Sequence, residues 1–161
     1  MKFQKSLCSL LALVSVMTIG TPSTAWAALQ NCTIGTVVPV AFGTYNVFAT
    51  TALLVNGTIT VSCGGSGNAT VALDKGRNSS SFASRAMRQT GGATLLTYNL
   101  YTDAATTIVW GDGSGGSTPQ STEALSGNHP TSTLTVFGKM GAGQDVPAGS
   151  YTDTVVITVN F

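Results

Sequence analysis

The sequence contains few charged side chains. Lysine and arginine together number 7, aspartate and glutamate number 6, and charged residues make up only 8% of the 161 positions, whereas a soluble domain usually has about 25%. Binding of nucleic acid requires clustered Lys and Arg side chains that neutralise phosphates, but the formal net charge is only +1. Nucleic acid is therefore not expected as a partner. The length allows one domain and is too short for a barrel enzyme of about 250 residues.

The chain also lacks an apolar run long enough to span a membrane. The almost unbroken apolar run at residues 7–19 falls short of the roughly 20 residues that a spanning helix needs. Two lysines precede it and the sequence Ala-Trp-Ala follows at residues 25–27, an order typical of a secretory signal peptide with its cleavage site. We predict a signal peptide at residues 1–27 and an exported domain at residues 28–161, with no stable membrane insertion after cleavage.

Cysteine and histidine are scarce as well. The chain has 3 cysteines and 1 histidine, and Cys8 is lost with the signal peptide. An even pair, Cys32 and Cys63, then remains in an oxidising compartment, which predicts one disulfide bond. This bond closes a loop of about 32 residues and should contribute on the order of 3–4 kcal/mol. The alternative of free thiols or zinc ligands is disfavoured because a zinc site needs four ligands, and we expect neither metal nor cofactor.

The exported domain has the period-two alternation of polar and apolar side chains that indicates β-strands. The alternating segments include residues 58–62, 69–73, 94–102 and 133–137. The last segment is the clearest, because one of its faces is entirely apolar. That face consists of Val155, Ile157, Val159 and Phe161. Helical spacing is absent, apart from a turn at residues 79–87.

Six or seven short strands, separated by glycine-rich turns about every 8 to 12 residues, predict an all-β, immunoglobulin-like sandwich. A closed barrel is the alternative. Threonine and serine explain how such a fold manages with little charge, because these side chains suit the solvent-facing positions of strands.

Several short motifs follow one another along the exported domain. In order they are Cys32, residues 41–45 (AFGTY), 57–63 (GTITVSC), 100–103 (LYTD), 109–113 (VWGDG), 137–138 (FG) and 149–155 (GSYTDTV), followed by Val159, Asn160 and Phe161. Together they resemble the spore coat protein U domain, a family that includes subunits of archaic chaperone-usher pili. The resemblance covers essentially all of residues 32–161, and the Gly-x-Tyr-x-Asp motif near the end is its most specific part.

The resemblance implies an immunoglobulin-like fold that lacks its final strand, so that an apolar groove lies open between the first and last strands. The partners that it implies are a periplasmic chaperone, which first lends a strand, an outer-membrane usher, and a neighbouring pilus subunit, whose N-terminal extension replaces the chaperone strand. The residues expected to pair with the inserted strand are Thr33, Ile34, Val37, Val38, Val40, Tyr151, Val155, Ile157, Val159 and Phe161. From the residues alone, a complete small sandwich is the alternative.

The N-terminal segment departs from what a polymerising subunit needs. Cleavage after Ala27 leaves only residues 28–31 ahead of Cys32, and this segment reaches at most about 14 Å. That is too short to fill a neighbour's groove. We therefore expect a tip or terminating subunit that receives a strand but donates none, exported through the periplasm to the cell surface. The other hypotheses are a free-standing spore coat or matrix protein and a surface adhesin, although the loops are rich in Gly, Ser and Thr rather than apolar.

Residues 111–116 read Gly-Asp-Gly-Ser-Gly-Gly, which resembles a serine protease signature with one glycine inserted. A catalytic triad needs a histidine base and an orienting acid, but His129 lies shortly after Ser114, whereas a trypsin-like enzyme has its histidine far upstream. We expect a glycine-rich turn here and no enzymatic activity.

Two further groups have a structural explanation that we favour. A solvated face is expected for four basic residues that are close in sequence, namely Lys75, Arg77, Arg85 and Arg88. Core and cross-strand packing, rather than a sugar-stacking platform, is expected for the aromatic residues Tyr98, Tyr101, Trp110 and Tyr151.

Overall fold

The computed structural model describes Ala28 and residues 30–161, and the signal peptide predicted at residues 1–27 lies outside the described residues. This part of the chain contains β-strands and loops and no helix. The strands are β1 (Gln30–Val38), β2 (Leu53–Gly64), β3 (Thr70–Leu73), β4 (Arg85–Gln89), β5 (Leu95–Tyr101), β6 (Gln120–Ser121), β7 (Thr131–Met140), β8 (Tyr151–Thr152) and β9 (Ile157–Asn160).

The strands form two antiparallel sheets. One has six strands in the order β1-β2-β7-β5-β4-β8, and the other has three in the order β6-β3-β9. The predicted all-β sandwich is confirmed. The alternative of a closed barrel is not found, because both sheets formed by the described residues have free edges, whereas a barrel closes its edges by pairing the first strand with the last.

Side chains of β2 and β7 alternate between the core and the solvent as the sequence pattern predicts. Ile59 and Val61 of β2 are buried, while Thr60 between them is half-buried on the outer face. Thr60 lies opposite Thr133 of β7, and their hydroxyl oxygens are 3.1 Å apart. Threonine pairs of this kind cover a sheet without charge.

The core contains two of the four aromatic side chains that the sequence places there. Trp110 is fully buried, and its indole Nε1 donates a 2.9 Å hydrogen bond to the carbonyl oxygen of Val71. Tyr98 is also buried and meets Phe42 edge to face, with ring centroids 5.8 Å apart. Tyr101 and Tyr151 are half-buried. Core packing is thus confirmed for Trp110 and Tyr98.

Cys32 and Cys63 form the predicted disulfide bond. The bond joins β1 to β2 near the point where Thr33 pairs with Ser62. Pairing of β1 with β2 is interrupted by two register shifts, so the disulfide supplies a covalent link where the hydrogen-bonded ladder is irregular.

The last segment of the chain changes sheets instead of forming one continuous strand. Its first part, β8, pairs with β4 of the six-stranded sheet, whereas β9 pairs with β3 of the three-stranded sheet. Asp74 fixes the crossover, because its backbone N–H donates to the carbonyl oxygen of Val156 at 3.0 Å and its Oδ1 accepts from the Val156 N–H at 2.9 Å.

Arg85 corrects the expectation of a solvated basic face. Its side chain is fully buried, whereas Arg77 and Arg88 are exposed. The Arg85 guanidinium donates to the carbonyl oxygens of Asp74 and Trp110 and to Oδ1 of Asn99, at 2.7 to 3.0 Å. Burial lowers the pKa of this guanidinium. The acceptors are neutral oxygens on the loop after β3, on β5 and on the loop that contains Trp110. Arg85 therefore links these three segments inside the domain, and its charge is not presented to a partner.

Candidate strand-binding groove

An apolar groove lies open between the end of β1 and the segment that contains β8 and β9. Its volume is about 340 Å³. One wall is formed by residues 37–40 and the other by Tyr151, Thr152, Asp153, Val155 and Ile157. Buried side chains from four strands and one loop form the floor. They are Phe42, Ile59, Leu73, Tyr98, Leu100 and Val136, and the half-buried Met87 completes the lining. The groove therefore gives access to the core.

The two strands beside the groove are both edge strands. Within the described residues, β1 is bonded only to β2, and β9 only to β3. The two strands approach each other without being neighbours in either sheet. An edge strand presents unpaired N–H and C=O groups to any extended chain that lies beside it. The groove is consequently bordered by backbone groups able to pair with a further strand.

Apolar side chains on the inner face of residues 155–159 are only half covered. Val155, Ile157 and Val159 are half-buried, and Val156 on the opposite face is 51% exposed. The alternation is that of a strand facing a core, but the apolar face still has a partly open side. A side chain inserted from outside could bury it further.

Asp153 is the one acidic side chain among the described residues that line the groove. Its Oδ1 accepts hydrogen bonds from the Arg77 N–H at 2.9 Å and from Nδ2 of Asn78 at 3.0 Å. Its Oδ2 accepts from the hydroxyl of Tyr98 at 2.8 Å. Burial, together with this hydrogen bond to a carboxylate, raises the pKa of Tyr98 well above its usual value. Both carboxylate oxygens already accept hydrogen bonds within the domain, so Asp153 does not require a positively charged side chain on an inserted strand.

The Spore Coat Protein U domain family model matches residues 18–158. The chain belongs to the spore coat protein U domain family. It is also similar to "Protein U" of Myxococcus xanthus, with 33% identity over 130 residues that cover 74% of this chain and 70% of that protein.

A solved structure has a similar fold. It is the CsuC–CsuE chaperone–tip adhesion subunit pre-assembly complex from the archaic chaperone-usher Csu pili of Acinetobacter baumannii. The TM-score is 0.56 at 24% identity, over 81% of this chain and 39% of the solved chain. The present chain therefore covers less than half of the solved chain's length, and the similarity concerns the fold alone.

The structure brings together six of the ten residues predicted for strand pairing in this spore coat protein U domain. Those that line the groove are Val37, Val38, Val40, Tyr151, Val155 and Ile157. Thr33 and Ile34 lie further along β1, opposite Ser62 and Val61. Val159 packs against the core, and Phe161 is 61% exposed. For all ten residues, pairing with a partner strand stays a prediction.

Several groove residues were not identified from the sequence. Tyr98, Leu100 and Val136 are spaced as core residues of their strands, and nothing in the local pattern distinguishes a covered core position from one beneath a groove. Phe42 lies in the irregular segment after β1. It belongs to the AFGTY motif at residues 41–45, but that motif alone does not indicate that the ring lies beneath a groove.

The glycine-rich turn at residues 111–116 has no triad-like arrangement. The Ser114 hydroxyl donates to Oδ1 of Asp112 at 2.6 Å. This hydrogen bond and a second one from the Ser114 N–H lower the pKa of Asp112. His129 pairs through its backbone with Ser126. Among Ala28 and residues 30–161, no three His, Cys, Asp or Glu side chains are grouped to hold a metal ion. Over the same residues, no helix is long and apolar enough to cross a membrane.

Proposed function

We propose that this protein is an exported structural subunit of a surface fibre or coat, not an enzyme, and that its sandwich is completed by a strand from a partner. The observation that carries the proposal is the apolar groove between two edge strands, β1 and β9. An added strand would pair with the free backbone groups and place every second side chain over the groove floor.

Completion of the sandwich by a partner strand would also cover a surface that favours aggregation of the free subunit. Open strand edges beside exposed core residues are sites of aggregation. Val37 and Val38 of the β1 wall are 42% and 50% exposed, and the groove floor beneath them is apolar. The free subunit would be protected during export by a protein that covers this surface.

The proposed partners are a periplasmic chaperone, then an outer-membrane usher and a neighbouring subunit. The family membership and the fold shared with a chaperone–tip adhesion subunit complex support this assignment. The proposed export route follows from these partners. The subunit crosses the periplasm and is assembled at the cell surface.

We further propose that the subunit receives a strand but donates none, as in a tip or terminating position. This rests on predicted cleavage after Ala27, which leaves residues 28–31 ahead of Cys32. N-terminal sequencing of the exported protein tests it. Cleavage well before Ala25, or fibres formed by this protein alone, would contradict the receiving role.

Expression in the periplasm with and without the chaperone of the same operon tests the main proposal. We expect a soluble 1:1 complex with the chaperone, and aggregation or degradation without it. A Val155→Thr variant places a hydroxyl in the groove and should reduce recovery of the complex, while Val156→Thr on the outer face should not.

A free-standing spore coat protein is the second candidate. Similarity to Protein U of Myxococcus xanthus and the spore coat family membership favour it. A stable, soluble monomer in the absence of chaperone would support this candidate and overturn the proposal of completion by a partner.

A further inference from the structure

A second and larger concavity lies beside the groove. This cleft has a volume of about 700 Å³ and runs between residues 40–48 and residues 146–151. Its floor is formed by Met87, Leu96 and Met140. Its size falls within the range of about 300–1,000 Å³ that is usual for ligand-binding pockets.

The cleft and the groove are contiguous. Val40, Phe42, Met87 and Tyr151 line both of them. These four side chains form the boundary between the two spaces, so a chain that leaves the groove at this end meets the cleft directly.

Hydrogen bonds brace the first wall of the cleft. The Tyr45 hydroxyl donates to the carbonyl oxygen of Gly141 at 2.8 Å and accepts from the Gln144 N–H at 2.9 Å. The Gln144 side chain in turn accepts from the Thr97 N–H at 2.7 Å. These polar contacts hold Tyr45 in place, and packing of Phe42 and Tyr45 against the core holds the same wall.

The opposite wall is braced in the same way. Nε2 of Gln89 donates to the carbonyl oxygen of Ala148 at 3.2 Å, and the Tyr151 hydroxyl donates to that of Pro147 at 2.8 Å. With both walls fixed, the cleft is a preformed space, and an occupant need not spend binding energy on opening it.

The cleft has an apolar floor and uncharged walls, in which Thr44, Asn46 and Ser150 are polar. Among the described residues, none of its lining side chains belongs to Asp, Glu, Lys, Arg or His. Phe48 at the rim is 89% exposed and is held in a turn in which Oδ1 of Asn46 accepts from the Phe48 N–H at 3.0 Å. An exposed aromatic side chain beside an apolar space is the usual composition of a contact surface.

We propose that the cleft binds the flank of the partner strand, and that this flank carries a large apolar side chain just beyond the part that fills the groove. The inference rests on the proposed function, because the groove must first hold a strand. It adds a second point of recognition, which distinguishes partners whose strands fill the groove equally well.

Exchange of labelled peptides into the purified complex of the exported chain with its chaperone tests the inference, because the chain without an inserted strand is expected to aggregate. One probe is a strand of alternating valine and threonine. The others carry the same strand with a Gly-Ser-Gly-Phe or Gly-Ser-Gly-Asp extension, placed at either end because either strand direction is compatible with the groove. We expect the Phe extension at one end to tighten binding about tenfold, as burial of an aromatic side chain implies, and the Asp extension to give no gain.

Variants at the rim locate the effect. Phe48→Asp should abolish the gain of the Phe-extended peptide and leave binding of the unextended strand unchanged. Leu54→Asp is the matched control, because Leu54 is a 58% exposed apolar residue that lines neither the groove nor the cleft. It should change neither affinity.

The outcomes separate the inference from the proposed function. If no peptide binds, completion by a partner strand is itself contradicted. If the extended and unextended peptides bind equally, or if Phe48→Asp leaves the gain intact, the groove proposal stands and the cleft inference is wrong. Dimers of the free chain that Phe48→Asp disrupts would assign the cleft to a second copy and also overturn the inference.

Discussion

The Tyr98 hydroxyl donates a 2.8 Å hydrogen bond to Oδ2 of Asp153, and this bond fastens the crossover between the two sheets to β5. Tyr98 forms part of the groove floor and Asp153 part of its wall. The shape of the groove therefore depends on a polar contact as well as on apolar packing.

Removal of this hydroxyl should change the dependence of stability on alkaline pH. Burial and the bond to Asp153 raise the pKa of Tyr98 in the folded state above the value of about 10 expected when unfolded. Its contribution is therefore complete below about pH 10 and is lost as the pH rises further. Tyr98→Phe should lower the free energy of unfolding at pH 7 by about 1–2 kcal/mol and reduce the alkaline decline, as measured by urea denaturation over a pH series.

Part of the alkaline decline should remain in this variant, because burial also raises the pKa of Tyr101. If Tyr98→Phe and the parent have the same stability at pH 7 and the same slope above pH 10, the hydrogen bond to Asp153 does not stabilise the fold.

Arg85→Met should be strongly destabilising. It removes all the donors that Arg85 offers to Asp74, Asn99 and Trp110. The carbonyl oxygens of Asp74 and Trp110 then lose their donors, whereas Oδ1 of Asn99 still accepts from the Leu100 N–H. Each unpaired acceptor costs about 1–3 kcal/mol, so the total loss should be about 2–6 kcal/mol. Urea denaturation measures the difference.

Arg88→Met is the control, because Arg88 is on the same strand but exposed. It should change the free energy of unfolding by no more than about 0.5 kcal/mol. Equal effects of the two substitutions would show that burial of Arg85 has no particular importance for the fold.

Val155→Thr should weaken binding of the complementing strand by about 5- to 150-fold. The added hydroxyl lies in the groove and must lose its water when the strand binds, which costs about 1–3 kcal/mol if no partner replaces it. The affinity of the valine–threonine peptide measures this loss.

Val156→Thr is the matched change on the neighbouring residue, whose side chain is on the outer face and 51% exposed. It should leave the affinity unchanged. If both variants bind the peptide as the parent does, the strand does not lie over Val155.

Replacement of Cys32 and Cys63 together by serine should lower the free energy of unfolding. The disulfide spans 31 positions of sequence, and loss of a cross-link over such a loop costs about 3–4 kcal/mol in the chain-entropy model. Thermal unfolding with and without a reducing agent measures the effect. Reduction should lower the midpoint of the parent but not that of the double variant; an insensitive parent would mean that the link contributes little.

Local patterns predicted β2, β3, β5, β7, β9 and the disulfide, because these follow from a few neighbouring residues or from a single cysteine pair. The half-buried face of Val155, Ile157 and Val159 is read directly from the alternation. The break between β8 and β9 is not, since it depends on Asp74, which comes from a distant strand end and binds Val156 through both backbone and carboxylate.

The burial of Arg85 could not be predicted for a related reason. Its acceptors belong to Asp74, Asn99 and Trp110, which come together only after the sheets have formed. Arg88, on the same strand, is exposed. The basic composition of the segment therefore predicts solvent exposure for both Arg85 and Arg88. The cleft beside the groove is likewise invisible in the sequence, because two irregular segments form its walls.

The disulfide between Cys32 and Cys63 also determines how the domain would respond to mechanical load. Cys32 is near the start of β1, at the edge of the six-stranded sheet, whereas Cys63 is near the end of β2, which is paired on both sides. A pull on the residues before Cys32 is transmitted through the covalent bond to β2. The hydrogen bonds of the edge strand are bypassed, and β1 cannot be peeled away from its N-terminal end one residue at a time.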